Sequence, residues 1–241
     1  MTMRNAGDDW RRYPAGAIPS KASTPHLDRF LEGLEPRGVA AEPMTLLDVG
    51  CGTGRIAKRL FDAGFSVVGV DINPRAIEEA STLAVASDVG GPSLRFVVAD
   101  VSTAACPKID GGPFDILVCQ LVLSIIGGVG ERETLLRHLH EHVRSGGCLF
   151  LSASGVSDSI NEGYARLYAD DAPLTGEPYS YFSRDEKGSI LYTTHHFKAE
   201  ELVVLLEAAG FTEVHVTTER EASSRRPDEA AFFHFVTCRR G

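Results

Sequence analysis

The sequence predicts an α/β fold built on a mainly parallel sheet, and three observations carry that prediction. From Thr45 onward, short β-branched runs alternate with amphipathic segments of helix length. A glycine turn, Gly50-Cys51-Gly52-Thr53-Gly54, joins the first run to a helix, which is how a βαβ unit opens. The second run, Ser66-Val67-Val68-Gly69-Val70, ends in Asp71, about 20 residues beyond the turn, where nucleotide-binding units place a carboxylate for ribose hydroxyls. Glycines at alternate positions let the backbone come close to a ligand, and the helix N-terminus behind them offers free N–H groups.

Taken in order, residues 1–18 are polar and irregular. Ser23 or Thr24 then caps a helix with Pro25 in its first turn, and Leu27, Phe30, Leu31 and Leu34 form its apolar stripe. Residues 36–43, bounded by prolines, read as a linker. Residues 45–49 suit a buried strand, and Ile56, Ala57, Leu60 and Phe61 fall at helical spacing in a helix that runs to Ala63. A strand over 66–70 follows, then a helix started by Asn73-Pro74 and running to about Ala86, a turn at Gly90-Gly91-Pro92, and strands over 94–98 and 114–119. The helix over 131–143 stops at Ser145-Gly146-Gly147, and 148–152 is the fifth strand. Residues 153–196 break the rhythm. They are rich in Ser, Gly, Asp and Tyr and read as an insertion with no sheet to join. An amphipathic helix over 198–209, closed by Gly210, and strands over 211–218 and 231–238 complete the chain.

Composition narrows the function. With 241 residues the chain fits one well-buried α/β domain with an insertion. The net charge of −9, from 33 acids and 24 bases without long single-sign runs, argues against duplex nucleic acid as the main partner. Five scattered cysteines without C-x-x-C spacing suit a reducing, cytoplasmic setting, and no run is long and apolar enough to span a membrane. Asp8 and Asp9 stand where a signal peptide would be apolar. His138, His140 and His142 lack a cysteine or carboxylate completing a ligand set, so a solvated helix face is expected and no metal.

The string Leu46-Leu47-Asp48-Val49-Gly50-Cys51-Gly52-Thr53-Gly54-Arg55, followed by Val70-Asp71-Ile72-Asn73-Pro74, resembles the class I S-adenosylmethionine-dependent methyltransferases. The resemblance continues through 96–101, 114–119 and 135–151 and covers about residues 44–154 well. A nicotinamide-dependent reductase is opposed by Arg55, which stands where a dinucleotide fingerprint needs its third glycine. The resemblance implies a Rossmann-like doubly wound, seven-stranded sheet with an antiparallel C-terminal strand. It divides the chain into an N-terminal cover (1–43), a cofactor-binding core (44–154), a lid-like insertion (155–197) and a C-terminal helix and hairpin that complete the core sheet (198–241).

It further implies S-adenosylmethionine as cofactor. Asp48 would fix the glycine loop and the amine end of that cofactor. Gly50, Gly52 and Gly54 would let the loop lie against it, with Cys51 small and inert between them. Asp71 would take the ribose hydroxyls, Ile72 the adenine face, and Asp100 with Val101 the exocyclic amine; Cys119 and Gln120 close the fourth strand. Trp10 and Tyr13 would fold over the cofactor mouth.

The expected activity is methyl transfer to an oxygen or nitrogen, including a carboxylate, of a small-molecule metabolite or natural-product intermediate. Two other readings stay open: a protein or nucleic-acid methyltransferase, and a catalytically silent cofactor-binding protein. Against a nucleic-acid amino-methyltransferase, the chain reads Cys119-Gln120-Leu121-Val122 where that class has Asn/Asp-Pro-Pro-Tyr. The sulfonium-bound methyl is already electrophilic, so a base is needed only for a protonated acceptor, and His195 and His196 are the candidates. Tyr164, Tyr168, Tyr181 and Tyr192 of the insertion are expected either to cover the acceptor or to form a homodimer interface.

Overall fold

The computed structural model describes residues 10–11, 24–34, 42–86, 91–223 and 228–241. The strands are β1 (Thr45–Val49), β2 (Ser66–Asp71), β3 (Leu94–Val98), β4 (Phe114–Gln120), β5 (Val143–Gly155), β6 (Ser180–Arg184), β7 (Ile190–His195), β8 (Phe211–Ala222) and β9 (Ala230–Arg240). The helices are α1 (Thr24–Glu32), α2 (Arg55–Asp62), α3 (Pro74–Ser81), α4 (Val129–His142), α5 (Glu162–Thr175) and α6 (Ala199–Ala208), with a 3-10 turn over Leu123–Ile125. Seven strands form one sheet in the order β3-β2-β1-β4-β5-β9-β8, and β6 and β7 form a separate two-stranded sheet. The neighbours from β3 to β5 pair in parallel, while β9 runs antiparallel to both β5 and β8. The doubly wound, mainly parallel sheet is therefore present, with β9 as its antiparallel member.

Strand alternation sorts the core into two layers. Leu47, Val49, Leu117 and Leu149 face α4 (Leu135, Leu139) and α6 (Leu202, Leu206). Leu46, Ile116, Val118 and Phe150 face the other way, onto Leu27 of α1 and Ala57 and Leu60 of α2. Helix α1 sits where its stripe predicts: Leu27 is fully buried, Phe30 meets Phe150 at 5.5 Å, and His26 stacks on Phe235 at 3.8 Å. Tyr164, Tyr168 and Tyr181 belong to this second layer. The insertion thus packs on the sheet rather than hanging from it.

Four expectations need correcting. Helix α3 ends at Ser81, not near Ala86, because Val85 and Leu94 exchange backbone hydrogen bonds at 2.9 Å in an isolated bridge that draws the chain out of the helix. Gly146 and Gly147 do not separate a helix from a strand: β5 begins at Val143, and the pairing with β4 shifts register there. The C-terminal strands reach Ala222 and Arg240. The insertion is not irregular. Its α5 is capped by Asn161, whose Oδ1 accepts from Gly163 N at 2.8 Å and Tyr164 N at 3.4 Å, and closed by Gly176 at φ 74°. Beyond it, β6 and β7 form a hairpin tied back to α5, where Asp171 binds Arg184 through two 2.7 Å contacts. Among the described residues, no helix is long and apolar enough to cross a membrane.

Candidate active site

The carboxyl ends of β1 to β4 meet along one edge, and a cavity runs beside them from Asp100 and Asp71 past Gly50 and Gln120. The glycine loop is pinned from behind, since the N–H groups of Gly50 and Cys51 both donate to Val70 O, at 2.8 and 3.0 Å. Gly50 has φ 73°, and a Cβ there would lie 2.2 Å from Val122 Cγ2, so the position demands glycine on both counts. Leu121, just past β4, takes φ 60° without being glycine, at a cost of about 1 kcal/mol, and that conformation sets it in the cavity wall.

Asp71 ends β2 and accepts two backbone N–H groups, Gly52 at 2.9 Å on Oδ2 and Asn73 at 2.9 Å on Oδ1. Burial raises its pKa, and these hydrogen bonds oppose the rise. Asp48 lies behind the loop, 3% exposed. Burial first, and the Asp71 charge second, push its pKa up to about 7. Among the described residues, Asp48 Oδ2 and Gln120 Oε1 are buried without a hydrogen-bond partner. Asp100 accepts Ser102 N at 3.0 Å and Ser102 Oγ at 2.7 Å, and pairs with Arg11 at 3.3 Å.

The cavity continues under the insertion, where Tyr164, Tyr181, Tyr192, Thr194 and His196 wall it. Trp10 closes it, 7% exposed, with its ring centroid 4.4 Å from that of Tyr192. His196 is buried among Tyr164, Tyr181 and Tyr168, with ring centroids at 4.8, 5.2 and 5.7 Å. Its Nδ1 meets Tyr168 Oη at 2.6 Å and its Nε2 meets Tyr181 Oη at 3.3 Å. Burial, reinforced by the neighbouring His195 and His234, lowers its pKa to about 3. The ring is neutral at physiological pH.

Of the residues expected at the cofactor, Gly50, Asp71, Ile72, Asp100, Val101 and Gln120 line the cavity. Asp48, Cys51, Gly52, Gly54 and Cys119 stand outside its lining. Cys119 is fully buried between Val49 and Leu151, because strand alternation gives the opening to Gln120 instead. The Cys51 thiol turns toward Gly69 of β2, and burial pushes its pKa up, so it is inert. Gly52 acts through its N–H on Asp71, and Gly54 by its φ of 80° at the start of α2. Tyr13 lies outside the described residues.

In the insertion, Tyr164, Tyr181 and Tyr192 reach the cavity, but Tyr168 stands behind His196 and accepts Ser157 N at 3.3 Å. His195 does not reach it either. Its ring points the other way, to Ser180 Oγ at 2.7 Å, Glu201 Oε1 at 3.0 Å and Glu177 Oε2 at 3.6 Å. Glu177, His195 and Glu201 come as close as metal ligands, yet the two carboxylates address opposite ring nitrogens, and the buried Arg132 pairs with the other oxygen of Glu177. That arrangement ties the insertion to α4 through the Arg132–Glu177 ion pair and to α6 through the His195–Glu201 hydrogen bond. The helix histidines are not solvated as expected: His138 Nδ1 meets Val101 O at 3.0 Å, and His140 sits edge-on to Phe211 at 5.1 Å. Thr194 and Phe233 are lining residues that no motif announced.

A parallel sheet with a glycine loop, a ribose-placed carboxylate and a cavity along its carboxyl edge defines the class I methyltransferase architecture. A family model described as a methyltransferase domain matches residues 23–216, and the chain belongs to that family. Among curated relatives, the ubiquinone biosynthesis O-methyltransferase of Rickettsia akari is 29% identical over 129 residues, 54% of this chain and 43% of that protein. The protein of the same name in Pseudomonas paraeruginosa is 30% identical over 118 residues, 49% of this chain and 47% of its own. The chain spans about half the length of these curated relatives. Among solved structures, an S-adenosylmethionine-dependent methyltransferase of Methanosarcina mazei is 26% identical with a TM-score of 0.71, covering 86% of this chain and 99% of that one. The 1,6-didemethyltoxoflavin-N1-methyltransferase of Burkholderia thailandensis, solved with its substrate and S-adenosylhomocysteine, shares the fold at 22% identity and TM-score 0.55, over 83% of this chain and 72% of that one.

Proposed function

We propose that this chain transfers a methyl group from S-adenosylmethionine to a hydroxyl oxygen of a small molecule. The observation that carries the reading is one continuous cavity. At one end stand Gly50 and Asp71; at the other, the aromatic walls Trp10, Tyr164, Tyr181 and Tyr192. The first end fits the cofactor: Asp71 faces the cavity, the loop at Gly50 leaves room where a Cβ could not stand, and Gln120 Oε1 is a buried acceptor in want of a donor. Bound there, the cofactor supplies a methyl group made electrophilic by its sulfonium.

This chain's residues then bind and orient. Asp71 accepts the ribose hydroxyls, and Ile72 packs on the base. Asp100, with the Val101 backbone, reads the exocyclic amine, and Asp48 holds the loop from behind. The second end, under the insertion of residues 155–197, takes the acceptor, and its concave, aromatic-walled shape suits a small molecule better than a polymer. Oxygen is favoured by the curated relatives, which are O-methyltransferases by name. A carboxylate acceptor is disfavoured because no Lys or Arg appears among the described lining residues, while Asp71, Asp100 and Glu131 do.

Calorimetry with S-adenosylhomocysteine and with NAD tests the cofactor half, and S-adenosylhomocysteine production from a metabolite extract tests turnover. Micromolar affinity for the first ligand and none for NAD is expected. The reverse preference would refute the reading, and binding without turnover in any extract would leave a silent binding protein.

A further inference from the structure

One guanidinium grips two walls of the cavity from behind. Arg132 of α4 is buried, 1% exposed, and its Nη1 donates to Ile126 O at 3.0 Å and Gly127 O at 3.3 Å. Those carbonyls follow the 3-10 turn, whose Ile125 lines the cavity together with Ile126. Its Nη2 donates to Oε1 of Glu177, in the link between α5 and β6. The other oxygen of Glu177 accepts from Ser180 Oγ at 3.0 Å, at the start of the hairpin that supplies Tyr181, Tyr192 and Thr194 to the cavity lining. Strand alternation explains why the grip lies behind the wall: Tyr192 and Thr194 of β7 face the cavity, so Thr193 and His195 face away from it. Thr193 packs so close to the turn that a Cβ on Gly127 would lie 2.8 Å from its own Cβ, and His195 meets Glu201 of α6 at 3.0 Å.

We propose, resting on the methyl-transfer reading above, that Arg132 and Glu177 are positioning residues for the acceptor: their ion pair sets the β6–β7 hairpin against the turn after β4, and the space between is what the acceptor must fit. A buried ion pair is often no more stabilising than apolar residues of the same volume, because desolvation offsets the attraction, so stability alone does not account for one here. What the pair does supply is a fixed arrangement of the groups it joins. The guanidinium also lies 5.8 Å from the ring centroid of Phe197, whose N–H donates to the carbonyl of the lining residue Ser154 at 2.9 Å. Turn, hairpin and the end of the insertion thus share one charged centre. None of these contacts reaches the glycine loop or Asp71, so cofactor binding does not depend on them.

Trp10, the only tryptophan in the chain, reads the position of the hairpin, since it is 7% exposed and its ring centroid lies 4.4 Å from that of Tyr192 of β7. Glu177→Ala is the variant to make: the Glu177 side chain is 20% exposed, so water can reach the guanidinium it leaves and the fold should survive. In it, acrylamide quenching of Trp10 should rise at least about twofold, and the β6–β7 amides should exchange at least about tenfold faster. The amount of metabolite extract giving half-maximal S-adenosylhomocysteine production should rise about tenfold, while S-adenosylhomocysteine affinity in calorimetry stays within about twofold. Glu177→Gln, which keeps the length and an acceptor oxygen, should recover part of each change. A Trp10 that stays covered, or an unchanged extract requirement, in folded Glu177→Ala would overturn the proposal whatever the melting temperature, and leave the pair a prop for stability. So would a fall in S-adenosylhomocysteine affinity as large as the rise in extract requirement, since the pair would then serve the whole core. An unaltered protein that makes no S-adenosylhomocysteine from the extract would instead refute the methyl-transfer reading beneath, and Trp10 quenching and amide exchange would still decide whether the pair sets the hairpin.

Discussion

The two ends of the cavity are built on opposite principles. At the end proposed for the cofactor, backbone N–H groups converge on carboxylates: Asp71 holds Gly52 and Asn73, and Asp48 sits buried beside it with a pKa raised to about 7. At the end proposed for the acceptor, side-chain hydroxyls surround an imidazole whose pKa is lowered to about 3. Burial drives both shifts and removes charge in each case, by holding a proton on an acid and keeping one off a base. The difference teaches where charge matters in this protein. A cationic ligand can draw out the buried negative charge at one end, whereas the other presents hydroxyls and an uncharged imidazole and responds to shape.

The sharpest way to break the comparison is at Gly50. A Val there needs a Cβ 2.2 Å from Val122 Cγ2, at a φ of 73° that β-branched residues avoid. Gly50→Val should abolish S-adenosylhomocysteine binding in calorimetry, a loss above about a hundredfold. Affinity retained within about tenfold would show that the loop does not touch the cofactor. Gly52 is the gentler control, since a Cβ there meets nothing within 4 Å of protein, although its φ of 53° still strains any side chain.

Asp71 comes next. Removing its carboxylate forfeits charge-assisted hydrogen bonds to the ribose, about 2 to 3 kcal/mol, or about 30- to 150-fold in affinity. Because the same oxygens hold Gly52 and Asn73, Asp71→Ala should also lower thermal stability, and Asp71→Asn should recover part of that stability without the affinity. If both variants lost stability and affinity in proportion, the role of Asp71 would be structural alone.

The cofactor end was legible in the sequence because it is local. A strand, an alternating-glycine turn and a carboxylate one strand later depend on few distant contacts, so Gly50, Asp71, Asp100 and Gln120 could be placed from spacing. The acceptor end is assembled by tertiary packing. Trp10 meets Tyr192 across most of the chain, and Tyr168 reaches His196 from another element. Helix α5 was hidden by Gly163 and Pro173 within it. His195 and His196 could not be told apart without recognising Ile190–His195 as a strand; its run Ile-Leu-Tyr-Thr-Thr carried that signal. His138 looked solvated by its neighbours in sequence, yet it serves the Val101 carbonyl, a contact no helical periodicity shows.

The smallest effect is the most diagnostic, because pH should act on the two ends with opposite sign. The folded pKa of Asp48 is raised to about 7, above its unfolded value of about 4, so its contribution to stability is fully present below that unfolded value and is lost as pH rises through 7. The folded pKa of His196 is lowered to about 3, below its unfolded value of about 6.5, so its contribution is fully present above 6.5 and is lost as pH falls toward 3. Asp48→Asn should therefore flatten the decline in thermal stability between about pH 5 and pH 8 and leave the acid limb unchanged. Binding follows the same group. The ammonium and sulfonium of S-adenosylmethionine favour ionised Asp48, whose share rises from about a tenth at pH 6 to about nine-tenths at pH 8. Affinity should climb by up to about tenfold across that range, with a proton released to buffer, and Asp48→Asn should abolish both effects. Calorimetry in two buffers of different ionisation enthalpy reads the released proton directly. A pH-independent affinity in the unaltered protein would show that Asp48 keeps its proton under the bound cofactor and serves the loop alone.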